Sequence, residues 1–176
     1  MSYDYQLEDY LRKRVKDGSF LGVFAHDLLP EQVPRGSSLI ANYSNHDQEG
    51  THWVGMRNLG TKDVEYFDSY GFDYDDLRLL LSRQTNFTGY LKRHTEKGGR
   101  IHVNEIELQC LEGDQCGEYA VKFILDGLPM KRGVVNKKWR EYVAEDATCG
   151  ENDRRIRREV KILIDKPDVL GDTPSE

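Results

Sequence analysis

Cys116 sits where a polar, glycine-containing turn, Gln109-Cys-Leu-Glu-Gly-Asp-Gln115, gives way to an apolar-periodic segment. Tyr119, Ala120, Phe123, Ile124 and Gly127 follow it at i+3, i+4, i+7, i+8 and i+11, which is one face of an α-helix. The spacing predicts a helix opening at Cys116, with the thiol on its inward side. Unpaired backbone N–H groups at such an end carry a partial positive charge that favours thiolate over thiol. Cys116 is therefore a candidate nucleophile. The same position also suits a buried cysteine acting as a small hydrophobe, and the helix alone does not choose between the two.

A thiol nucleophile needs a base, a group that orients the base, and donors for an oxyanion. Of the five histidines, His26, His46, His94 and His102 fall in loops, near a helix end or on a weak strand, and read as surface residues. His52 differs. It lies beside Trp53 on an expected strand, and the next strand ends in Asp68. In a hairpin centred near Gly60, positions summing to about 120 face each other, as His52 and Asp68 do. That pairing puts a carboxylate across from the imidazole, within reach of Nδ1. A cross-strand His–Asp pair on the surface would have the same spacing.

These residues must be positioned by a core, and the chain is long enough to build one. With 176 residues, 38% hydrophobic, ten Tyr and two Trp, it reads as one domain over 1–165, with a loose tail over 166–176. No apolar run approaches the roughly 20 residues that span a bilayer, and the N-terminus lacks the layout of a signal peptide, so no membrane is expected. Three cysteines make an odd number, read here as free thiols in a reducing compartment such as the cytoplasm or nucleus. Cys110 and Cys116 are six apart, Cys149 is remote, and no C-x-x-C pair exists, so neither a metal nor another cofactor is expected. A net charge of −6 argues against a generic nucleic-acid binder. The basic residues between Lys131 and Lys161 are interleaved with Glu141, Glu145, Asp146, Glu151, Asp153 and Glu159. They read as a solvated helix face, with a polyanion or an acidic partner as the alternative.

In chain order, Gln6–Lys16 is an amphipathic helix with Leu7, Tyr10, Leu11 and Val15 inward, stopped at Gly18. Strands follow at 20–24, 38–43, 51–57 and 63–68, the last two joined by the loop Asn58–Lys62. Asp73–Gln84 and Thr88–His94 read as helices, and Ile101–Leu108 as a β-branched strand. After the Cys116 helix, which ends near Gly127-Leu-Pro129, Val134–Ala147 reads as a second C-terminal helix, and Glu159–Asp165 as strand or helix. Strands clustered between helices give an α+β fold: a mixed central sheet flanked by helices.

The order of these motifs resembles the adenovirus protease (adenain) family of cysteine peptidases, which shares its fold with the SUMO-deconjugating peptidases. The resemblance rests on Phe20-Leu-Gly-Val-Phe24, His52-Trp53, Tyr66-Phe-Asp-Ser-Tyr-Gly-Phe72, Gln109 and Cys116-Gly117, and runs to about Pro129. Virophage and Maverick-type viral proteases are similar in the same way. It implies Cys116 as nucleophile, His52 as general base, Asp68 as its orienter and Gln109 as the oxyanion side chain, with Gln115 the rival for that last role. Asp114, a good N-cap residue, competes for the same backbone N–H groups unless it points away. The implied activity is endopeptidase cleavage at Gly-containing sites, with viral structural precursors as protein substrates and a monomer as the expected form. A ubiquitin-like deconjugating peptidase and a catalytically idle binding module are the alternatives. The chain departs from the adenovirus enzyme in three ways. Its orienter is Asp rather than Glu, Gly98 stands where a peptide activator would attach through a cysteine, and its overall acidity makes DNA a doubtful cofactor.

Overall fold

Strand residues here alternate sides so strictly that they divide two hydrophobic clusters between the faces of one sheet. The computed structural model describes residues 3–47, 50–72, 76, 79 and 86–162. Five strands, β1 (Phe20–Ala25), β2 (Ser38–Asn42), β3 (Trp53–Gly60), β4 (Asp63–Phe67) and β5 (Arg100–Val103), lie side by side in chain order. The outer pairs β1–β2 and β4–β5 are parallel, and the inner pairs are antiparallel. Ile40, Trp53 and Phe67 face one cluster, whereas Leu39, Ala41, Val54, Met56, Val64 and Tyr66 face the other. Helix α2 (Asn86–Glu96) covers the second face through Phe87 and Leu91. Helices α1 (Tyr3–Arg12), α3 (Cys116–Asp126) and α4 (Cys149–Glu159) cover the first. The fold is α+β with a mixed five-stranded sheet between helices, as the strand and helix spacing implied.

Helix α3 is buried all round rather than along one stripe. Every residue from Cys116 to Ile124 is buried, Lys122 and Glu118 included. Gly55 in β3 makes this possible: a Cβ there would run into the Phe123 ring, which stacks on Phe67 with centroids 5.2 Å apart. At the far end, the Arg57 guanidinium donates to the carbonyl oxygens of Phe123 and Ile124 and closes the helix C-terminus.

Several elements differ from the sequence reading. The β3–β4 loop is two residues, Thr61 and Lys62, with φ of 50° and 68°, a turn whose twist suits a hairpin. Gly60 pairs with Asp63, and an irregularity between Asn58 and Gly60 then shifts the register, so that beyond it pairs such as Met56↔Tyr66 and Gly55↔Phe67 sum to 122 rather than 120. β5 ends at Val103, because Asn104 turns its amide to the backbone of Asp68 instead of extending a strand. Val134–Ala147 is not a helix. Pro129 lacks a donor, and Arg132 and Gly133 adopt positive φ, which folds 130–135 into a small hairpin, β6 (Met130–Lys131) with β7 (Val134–Val135). A 3₁₀ turn over Lys137–Trp139 follows, its start capped by the Asn136 side chain. The helix of this region is α4, which opens on Thr148, whose Oγ1 accepts from Glu151 N at 3.2 Å. Glu159 is its last residue, so no new element starts there, and residues beyond 162 lie outside the described ones. Of the helix expected over 73–84, Asp76 and Leu79 are helical and the other positions also lie outside the described residues.

Cys110 and Cys149 form a disulfide, with Cα atoms 5.0 Å apart, leaving Cys116 as the free thiol. The odd count concealed a pair plus one, so the cysteine argument for a reducing compartment fails. The basic residues of 131–161 are likewise spread over β6, the 3₁₀ turn and α4 rather than along one face. Three of them pair as Lys131–Glu65, Arg155–Glu141 and Arg157–Asp114. Among the described residues, no helix is long and apolar enough to cross a membrane.

Unfolded without reductant, the protein should titrate one thiol, and after reduction three. Closing a span of 39 residues is worth roughly 4 kcal/mol in the chain-entropy picture, so reduction should also lower the denaturation midpoint. Three thiols before reduction would remove the bond.

Candidate active site

His52 directly precedes β3, and its carbonyl accepts from Tyr43 N at 3.0 Å, which fixes the backbone at the strand's start. Its ring is stacked between Tyr43, with centroids 5.5 Å apart and planes 8° apart, and Tyr70, at 4.9 Å and 21°. The β3–β4 ladder ends at Gly55↔Phe67, and in the turn that follows β4 Tyr70 stacks on the imidazole while Asp68 reaches it through its carboxylate. The Asp68 Oδ2 oxygen lies 2.9 Å from Nε2 of His52, not Nδ1, which leaves the other ring nitrogen unengaged by the carboxylate, and the Cys116 side chain is close enough to act on the ring electrostatically.

Asp68 follows β4 and is held from several directions. Its Oδ1 accepts from Tyr70 N at 2.8 Å, which sets the turn. Asn104, fully buried, grips its backbone with both ends of its amide. Asp68 N donates to Oδ1 at 3.0 Å, and Nδ2 donates to the Asp68 carbonyl at 2.6 Å. Sequence reasoning missed Asn104, Tyr43 and Tyr70. The one signal for Asn104 is a polar residue interrupting the run Ile101-His-Val103, where strands disfavour asparagine.

Cys116 is the first residue of α3 and is 3% exposed. Gln115 precedes it as the N-cap residue but makes no side-chain cap, and Asp114 turns away to Arg157 at 2.9 Å. The N-cap residue of α3 therefore spends none of its side chain on the first-turn amides. Gly117 has its own reason: a Cβ there would overlap the Tyr3 ring. Tyr3 donates to Glu118 Oε2 at 2.6 Å and packs edge-on against Trp53, whose Nε1 donates to Asp4 at 2.6 Å. The first turn of α1 thus lies across the start of α3.

Gln109 is fully buried beside this centre. Its Oε1 accepts from Ser69 Oγ at 2.5 Å, its backbone N–H donates to Ser69 O, and its Nε2 donates to Gly113 O at 2.7 Å. It therefore joins the turn after Asp68 to the turn before Cys116, with one Nε2 hydrogen beyond that given to Gly113. Gln115 turns its Nε2 to Asp114 Oδ1, and its buried Oε1 has no partner. Among the described residues, no group of three or more His, Cys, Asp and Glu side chains is arranged to hold a metal. Of the other four histidines, His46 pairs with Asp27, His102 with Asp63 and His94 with backbone carbonyls, while His26 keeps a buried Nδ1 without a partner.

Burial works against a charged His52, but the hydrogen bond to Asp68 and the interaction with Cys116 outweigh it and push the imidazole up to about 9. An imidazolium held by a carboxylate is a poised proton donor. The chain matches no protein-family model and no curated protein.

The folded-state pKa of His52 lies above its ordinary 6.5, so its contribution to stability is full below about 6.5 and is lost as pH rises through about 9. NMR titration of the ring should show a midpoint near 9, lowered in Asp68→Asn. A midpoint near 6.5 in the wild type would contradict the hydrogen-bonded arrangement.

Proposed function

We propose that the chain is a cysteine endopeptidase. The observation that carries the proposal is the His52 ring, hydrogen-bonded to Asp68 and acted on by Cys116, the first residue of α3. Cys116 gives its proton to His52, and Sγ attacks the substrate carbonyl carbon. The resulting oxyanion is met by the spare Nε2 hydrogen of Gln109 and by backbone N–H groups at the start of α3. His52 then protonates the departing amine as the C–N bond breaks, leaving a thioester on Cys116. Water, deprotonated by His52, attacks the thioester and releases the acid and the thiol. Asp68 holds the ring in plane and stabilises its charged form.

The substrate class comes from the resemblance to adenovirus-type proteases: polypeptides cleaved at Gly-containing sites, with viral structural precursors as the substrates. Gly98 offers no thiol for a covalent activator peptide, and much of the basic segment is paired or scattered. Basal activity is therefore expected without DNA, and added duplex should change it little at physiological salt.

Purified protein should hydrolyse Gly-containing peptides, with Cys116→Ala inactive and His52→Ala nearly so. Gln109→Ala should lose about 10²–10³ in kcat, the usual cost of one oxyanion donor, and Gln115→Ala should lose far less. Cleavage of a ubiquitin-like C-terminal extension in preference to unstructured peptides would favour the deconjugating alternative. A chain that neither cleaves nor is labelled at Cys116 by a peptide electrophile is a binding module instead.

A further inference from the structure

The turn that orients Gln109 is built on Cys110. Gly113 N donates to Cys110 O at 2.9 Å, and this turn presents the Gly113 carbonyl to Gln109 Nε2. Gly113 is packed closely enough that a Cβ would lie 2.7 Å from Asp153 Oδ2 and 3.0 Å from Cys110 O. Three ties fasten the turn to α4: the Cys110–Cys149 disulfide, Cys110 N donating to Asp153 Oδ2 at 3.3 Å, and Arg157 on Asp114. The α4 side is fixed independently. Asn152 Nδ2 donates to Leu108 O and Tyr142 O, and Tyr119 OH donates to Asp153 at 2.8 Å. Both sulfurs belong to half-buried residues, and Cys110 lines an open cavity of about 320 Å³ with Gly113, Asp153, Arg154 and Arg157. His52, Asp68 and Cys116 take none of their hydrogen bonds from this turn.

We infer that the Cys110–Cys149 disulfide is a positioning element of the site, holding the Gln109 amide where the oxyanion forms, and that its reduction slows the reaction while sparing the nucleophile. The inference rests on the peptidase reading. Reduction is a two-electron, two-proton step: a dithiol gives up both hydrogens, closes its own disulfide, and leaves Cys110 and Cys149 as thiols. The turn is then anchored to α4 only by two weaker contacts, and Gly113 O is free to drift from Gln109. Reductant thus acts in two opposed ways on one chain, preserving the Cys116 thiol and loosening the oxyanion side.

The test compares the full chain oxidised and after dithiothreitol, both under argon, on one Gly-containing peptide. Reduction should lower kcat by about 10²-fold, comparable to losing one oxyanion donor, with KM changed far less. The rate of Cys116 alkylation by iodoacetamide, mapped by mass spectrometry, and the far-ultraviolet circular dichroism should stay unchanged. Reoxidation with oxidised glutathione should restore kcat. Cys149→Ser should behave as the reduced protein and ignore the reductant. In Gln109→Ala, reduction should cost nothing more, because both changes remove one interaction. If Cys149→Ser does not fold, the reduction and reoxidation of the wild type decide alone. Equal kcat in both states, or a full further loss in Gln109→Ala, overturns the positioning role and leaves the peptidase standing. No hydrolysis by the oxidised chain overturns both.

Discussion

Lys122 enters the protein from the middle of α3 and is 1% exposed, a placement that a lone ammonium could not hold against loss of hydration. Asp126 at 2.8 Å and Glu159 at 2.5 Å receive its protons, and the rings of Trp139 and Tyr142 lie 4.8 and 5.3 Å from its Nζ. Glu159 also accepts from Tyr142 OH, so one carboxylate gathers the central helix, α4 and the irregular segment between them. Such a network adds little net stability over apolar packing, but losing one member strands a charge, which makes the arrangement unforgiving of alternatives. It fixes α3 lengthwise, and with α3 the position of Cys116.

The sheet supplies the complementary constraint. β3 and β4 deliver His52 and Asp68 at neighbouring strand ends, and Gly55 lets α3 settle on β3 through Phe123. The thiol and the imidazole therefore come from adjacent layers of the molecule, helix and sheet, and their approach depends on the same close packing that holds the core. Asn104 and Ser69 carry that order outward, one gripping the acid's backbone and the other the amide of Gln109.

Local chemistry was readable in the residues, whereas distant closure was not. A short hairpin brings residues 16 apart together by pleat and register alone, so His52 and Asp68 could be paired on paper despite a turn shorter than expected. The helix after Cys116 announced itself by its 3.6 period. By contrast, Trp139, Tyr142 and Val143 mimic helical spacing, yet their partners lie elsewhere: Trp139 Nε1 donates to Gly127 O, and the segment packs on α3. Pro129, Gly133 and the Thr148-x-x-Glu151 cap were the local signs of the true layout. The pairing of Cys110 with Cys149 had no local sign, since three cysteines allow three pairings and spacing does not rank them.

Tyr3 and Asp4 lie over the start of α3 from the first turn of α1, Tyr3 through Glu118 and an edge-on contact with Trp53, and Asp4 through the Trp53 indole. First turns are where helices fray most readily, opening on nanosecond-to-microsecond timescales at a free energy far below that of global unfolding. The start of α3 is thus covered by a segment joined to it through side chains rather than through a shared sheet. A local opening of that turn would uncover Cys116 and leave sheet and core undisturbed.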